Sequence, residues 1–166
     1  MRLRVLVIAL YTLFGLVLQA TVFADLNVLG WGLVPDLVLI LVISYGMLKG
    51  PWYGAILGLV TGLVCDLLAG GPAGAGALAK TIVGFSAGLL EKAIFKDNLL
   101  VPFLSLLAGT IIEEAIFLII ARTLGWHFGS LLYILPKLLL LAIYNALLAP
   151  FIYRQFYRLE NKLAQV

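Results

Sequence analysis

Polar residues break this chain into apolar runs at about 4–24, 33–48, 52–69, 75–91, 99–122 and 131–153. None alternates with a period of two, so neither strands nor a closed barrel are predicted. A helix rises about 1.5 Å per residue, and a bilayer core about 30 Å thick takes about 20 residues. The runs therefore predict six transmembrane helices, of which the second to fourth are short and glycine-rich. Turn chemistry marks the joints: Asp25-Leu26-Asn27 with Gly30, Lys49-Gly50-Pro51, Gly70-Gly71-Pro72, Lys96-Asp97-Asn98 and Gly125-Trp126-His127-Phe128-Gly129. No long linker or low-complexity stretch intervenes. The expected architecture is an all-α integral membrane protein, a single polytopic domain over 1–166 built of three sequential hairpins.

Composition strengthens this reading. Hydrophobic residues make up 64% of the 166, charged ones 11%, and mean hydropathy is +1.16. A soluble domain carries about 25% charged residues, and one of this size has too little interior to hide so much apolar surface. The first run is too long for a signal-peptide core and no A-x-A-like site follows it, which predicts a retained helix.

The net charge of +3 has a topological explanation. With the N-terminus inside, Arg2, Arg4, Lys49, Lys92, Lys96, Arg154, Arg158 and Lys162 all lie inside, eight of the eleven basic residues. Lysine and arginine concentrate in cytoplasmic loops, so both termini are expected in the cytoplasm. Nucleic acid is not needed to account for the basic balance. Trp31 and Trp126 then mark the outer interface and Trp52 the inner one. Beyond the last run, Arg154, Arg158 and Lys162 recur every four residues opposite Ile152, Phe156, Leu159 and Leu163. That pattern predicts a basic amphipathic tail over 154–166, lying on the anionic inner leaflet or docking a cytoplasmic protein.

Two glycine ladders stand out. Gly54, Gly58 and Gly62 are spaced by four and lead to Asp66. Gly76, Gly84 and Gly88 keep the same spacing, with Lys80 in the missing place. Small residues at this interval let helix backbones approach closely in lipid. Asp66 and Lys80 are equally far from Ala73, so a symmetrical hairpin would pair them about one turn below the outer surface. Glu113 and Glu114 lie in the fifth run and Lys137 in the sixth, where one glutamate is expected to pair with the lysine. Asp36 follows Pro35 and suits a helix N-terminus. Ionisable residues inside a membrane mark a functional site by default. For Asp36, Asp66, Lys80, Glu113, Glu114 and Lys137 two readings stay open: a polar core or partner surface, and the handling of a small molecule or ion. A proton relay through Glu113 and Glu114 needs an inward polar path, for which only Gln19, Ser105 and Asn145 are at hand.

No spacing suits a metal, and no G-x-S-x-G, P-loop or H-E-x-x-H occurs. Cys65 is the single cysteine, which rules out an intrachain disulfide, and His127 the single histidine. No catalysis and no cofactor are expected.

The stretch PDLVLILVISYGMLKGPWYGAILGLVTGLVCDLLAGGPAGAGALAKTIVGF resembles the core pattern of the rod shape-determining protein MreD family. The shared marks are Pro35-Asp36-Leu37, Gly50, Gly58, Gly62, Asp66, Gly76 and Gly84-Phe85. The resemblance implies a non-catalytic scaffold of the bacterial cell-elongation machinery in the cytoplasmic membrane, helping to position peptidoglycan synthesis. It implies association with MreC, a single-span coiled-coil protein. Through MreC it implies contact with MreB and with the RodA–penicillin-binding-protein synthase. Possible homo-oligomerisation goes with the glycine faces. It also implies a fold like the six-helix substrate-binding component of energy-coupling-factor transporters, which supplies the alternative function: a vitamin-type substrate-binding subunit. That alternative needs a cavity lined by Asp36, Asp66, Glu113 and Lys137.

Overall fold

The computed structural model describes residues 2–21, 34–90, 100–126 and 129–164. All regular structure within them is helical: α1 (Arg2–Thr21), α2 (Leu37–Lys49), α3 (Pro51–Ala69), α4 (Ala75–Gly88), α5 (Leu100–Thr123) and α6 (Leu131–Ala164). The segments Pro51–Ala69, Leu100–Thr123 and Leu132–Leu159 are long and apolar enough to cross a membrane. By contrast, α2 and α4 have 13 and 14 residues. Each is therefore about 20 Å long, shorter than a bilayer core.

Local chemistry sets the helix ends. Asp36 Oδ1 accepts the Leu39 N–H at 2.8 Å and caps α2. Gly50, at φ 101°, closes α2, and Pro51 opens α3, where its missing N–H costs nothing. Gly70 ends α3 in the left-handed region at φ 62°.

The short α2 is the centre of the molecule. Every residue from Leu37 to Met47 is buried, and α1, α3, α4, α5 and α6 all pack on it. A helix apolar all round belongs in such a place. Leu39, Ile40, Ile43 and Met47 join Val83, Leu106, Ala146, Ala149 and Tyr153 in the core. The outward faces are also apolar: Trp52, Ile56, Leu63 and Leu67 on α3, and Leu132, Leu135, Leu139 and Leu147 on α6, are exposed. So much large apolar surface suits lipid and not water.

The α3–α4 hairpin is the closest packing in the fold. A Cβ added at Gly54 would strike the Gly84 backbone, one at Gly58 the Lys80 backbone, one at Gly62 the Ala77 backbone, and one at Gly88 the Pro51 backbone. Gly46 of α2 enters the same contact, beside Gly54, Gly84 and Gly88. The two ladders thus face each other and are used up inside the hairpin. These pairs also fix its register, which differs from the symmetrical one expected about Ala73. Lys80 lies level with Gly58, eight residues before Asp66, and therefore about 12 Å from it along the axis. The cause is an uneven turn: α3 runs on to Ala69, while α4 begins lower, beneath the Asp66 side chain.

At the other end of the bundle, Phe156 is buried edge-on against Tyr11 and Tyr45, with ring centroids 5.7 and 5.8 Å apart. Tyr11 donates from its hydroxyl to Gln155 Oε1 at 3.3 Å. The expected tail is therefore no separate element. It continues α6, a helix of 34 residues that carries Pro136 and Pro150 within it. Its basic stripe is present, with Arg154, Arg158 and Lys162 exposed. Trp52 and Trp126 are exposed as interfacial residues would be. Trp31, His127, Lys92 and the joints around Asp25-Leu26-Asn27 and Lys96-Asp97-Asn98 lie outside the described residues.

Candidate functional site: a buried ion cluster

The charges converge, but not in the expected pairs. Lys80 Nζ lies 2.8 Å from Asp36 Oδ2 and 2.7 Å from Glu113 Oε1. Lys80 and Glu113 are almost wholly buried, with side-chain exposures of 7% and 6%, and Asp36 keeps 18%. One ammonium thus ties together the start of α2, the first half of α4 and the middle of α5. Around it, the Asp36 backbone N–H donates to Asn145 Oδ1 at 3.0 Å, and Asn145 Nδ2 donates to Thr110 Oγ1 at 3.2 Å. The Val38 N–H donates to Gln19 Oε1 at 3.3 Å. Those contacts bring in α6 and α1. Five helices therefore meet on one polar layer.

Gln19 and Asn145 belong to this layer and do not form an inward path. Their signal in the sequence was an amide inside an apolar run, which in a membrane marks a hydrogen bond between helices. The partner of each was not readable, because it lies 19 or more residues away.

Asp66 has a different task. Its carboxylate accepts the N–H groups of Gly74 at 2.8 Å, Gly76 at 3.2 Å and Ala77 at 3.1 Å. These are the orphan donors of the α4 N-terminus, where a carboxylate also opposes the positive end of the helix dipole. The residue is buried. Gly76 leaves the space the carboxylate fills, since a Cβ there would collide with Asp66 Oδ1. The expected Asp66–Lys80 pair is thus replaced by a cap and a separate ion cluster.

The expected pairing of Lys137 with a glutamate is also corrected. Lys137 is exposed on α6, and among the described residues Glu113 is bonded to Lys80 instead. Glu114 is half-buried. It sits about 100° round the helix from Glu113 and so turns away from the cluster. Consequently Asp36, Asp66, Glu113 and Lys137 do not line one cavity. An apolar groove of about 150 Å³ lies between α4 and α5, lined in part by Val83, Ala87, Ser105 and Gly109.

Of the aspartates in the Pro35-Asp36 and Gly-x-x-x-Gly…Asp66 pattern, Asp36 is therefore the N-cap of α2, and Asp66 serves the N-terminus of α4 from across the hairpin. The wider chain carries the same signature: the family model for the rod shape-determining protein MreD matches residues 1–159. The chain belongs to the MreD family. No curated protein and no solved structure matches it. MreD is a family of shape-determining proteins and not a known family of enzymes. In this MreD-family chain, Asp66 is thus taken up by backbone donors alone, whereas Asp36 caps α2 with one oxygen and meets Lys80 with the other. Lys80 and Glu113, which the resemblance did not single out, supply the ion pairing that joins the helices.

Proposed function

We propose that this chain is a non-catalytic membrane scaffold of the cell-elongation machinery. In this reading it crosses the cytoplasmic membrane six times as one domain, with both termini in the cytoplasm. It binds MreC and, through it, links to MreB and the RodA–penicillin-binding-protein synthase that builds peptidoglycan. The short α2 fits such a topology because neighbouring helices enclose it, so its ends meet protein and not lipid. The observation that carries the reading is the mutual locking of the intramembrane charges. Lys80, Asp36 and Glu113 satisfy one another, and Asp66 is taken up by three backbone donors. A cluster so committed holds helices in place, and its own polar groups are not free to grip a substrate.

The test is co-expression with MreC from the same genome, followed by purification in mild detergent. Stoichiometric recovery of MreC is expected, and its absence would sink the partner assignment. A thermal-shift screen against vitamins addresses the transporter alternative: clear stabilisation by one of them would overturn the scaffold reading.

A further inference from the structure

We propose that the α5–α6 seam around Glu114 is a docking face for a membrane-spanning helix of another protein, and that this helix brings a cation to Glu114. The proposal starts from two adjacent glutamates with different fates. Glu113 is closed off by Lys80 at 2.7 Å. Glu114 has no hydrogen-bond or ion-pair partner among the described residues. Thr110, four residues earlier and on the same side of α5, is buried and bonded to Asn145 of α6. Ala121, seven residues later, is buried as well. Ile111, three residues earlier, is exposed. Glu114 therefore stands at the margin of the seam, between the α6 contact and the lipid-facing surface.

Depth turns this into a demand for a partner. Glu114 is the fifteenth of the 24 residues of α5, so water at either end is more than 10 Å away along the axis. The exposed basic residues Lys137, Arg154, Arg158 and Lys162 lie nearer helix ends and have long stems that reach the interface. A glutamate at this depth has no such reach: facing hydrocarbon alone it has to hold a proton, because the unpaired carboxylate is costly there, whereas a cation at its level lets it ionise. A cation or strong donor at the same level removes that cost. The partner must be helical there, because only a helix satisfies its own backbone in lipid.

A second copy of this chain is the poorer occupant. Thr110 faces Asn145, so Glu114 lies level with residue 141, and Lys137 lies a further turn outward. Helical side chains lean toward their own N-terminus, which carries the Lys137 ammonium farther from Glu114 still. The proposal rests on the seam geometry and the membrane setting, not on MreC being the occupant.

The full-length protein, reconstituted in phosphatidylcholine vesicles, is titrated with two fluorescent Leu-rich transmembrane peptides, and energy transfer reports association. One peptide carries a single central lysine and the other has leucine there. The wild type should prefer the lysine peptide by about tenfold, the scale of one membrane-buried polar contact. Glu114→Leu should remove the preference while keeping the wild-type melting temperature. A wild type without preference, or a Glu114→Leu protein that retains it, overturns the proposal. Either result leaves MreC capture, which is read separately, untouched.

Discussion

Lys80 is the residue on which most of the cluster depends. Replacing it by methionine leaves two carboxylates buried within reach of each other, and breaking a buried pair this way costs about 3–5 kcal/mol. Lys80→Met is therefore expected to lower the unfolding midpoint in mixed micelles strongly. Double-mutant cycles locate its partners. Lys80 should couple to Glu113 and to Asp36, whereas Lys80 and Asp66 should be additive within about 0.5 kcal/mol. A Lys80–Asp66 coupling as large as the Glu113 one would refute the assignment. Asp66→Ala strips three N–H groups of their acceptor, at about 1–3 kcal/mol, and should speed hydrogen exchange at Gly74, Gly76 and Ala77. That both residues are buried and satisfied was legible in the sequence, from charges set in small-residue stripes. Their true partners were not. Pairing was inferred from equal distance to Ala73, and the turn does not obey that symmetry.

Among the elements, the α3–α4 hairpin shows how spacing becomes contact. Glycines four apart predicted a close helix–helix approach, and the approach is there. They did not say which helix would be met, because a glycine stripe is blind to its partner. Here each ladder meets the other, with Gly46 of α2 wedged beside them. The glycine faces are therefore not spare surfaces for MreC or a second copy. Gly58→Leu or Gly62→Leu should force the hairpin apart and abolish a monodisperse peak on size exclusion. Gly71→Ala, where an added Cβ meets nothing within 4 Å, should unfold within about 0.5 kcal/mol of the wild type. Equal behaviour of Gly58→Leu and Gly71→Ala would contradict the packing. The tail gives a second case. Its stripe of Arg154, Arg158 and Lys162 was readable by period, but its continuity with α6 depends on Phe156 entering an aromatic cluster with Tyr11 and Tyr45. These two residues lie more than 100 positions upstream.

For the whole molecule, the topology is open to direct test. In a Cys65→Ala background, single cysteines at Trp126 and Lys162 should behave oppositely in intact cells. A membrane-impermeant maleimide should label position 126 and leave position 162 unlabelled until the cells are opened. Labelling of both from outside would overturn the shared cytoplasmic placement of the termini. The arrangement around α2 has a consequence of its own. Five helices lean on one short helix, and its N-terminal aspartate is tied into the ion cluster. Loss of Asp36 is thus expected to loosen the bundle as a unit, seen as a broader and lower unfolding transition.

The sequence by itself determined the helical class, the apolar exterior, the position of the helices to within a few residues at most ends, and the family. Each of these follows from local pattern: run length, period, turn residues and motif. Tertiary structure alone decided which charge meets which, that α2 lies at the centre, and that the glycine faces close on each other. Such facts depend on the rotation and vertical offset of one helix against another. Those offsets are set by packing summed over many contacts far apart in the chain, and a shift of one turn exchanges every partner. Glu113 and Glu114 show the limit: neighbours in the sequence and alike in chemistry, they are separated by a rotation of about 100° into a buried ion pair and a carboxylate at the rim of a seam.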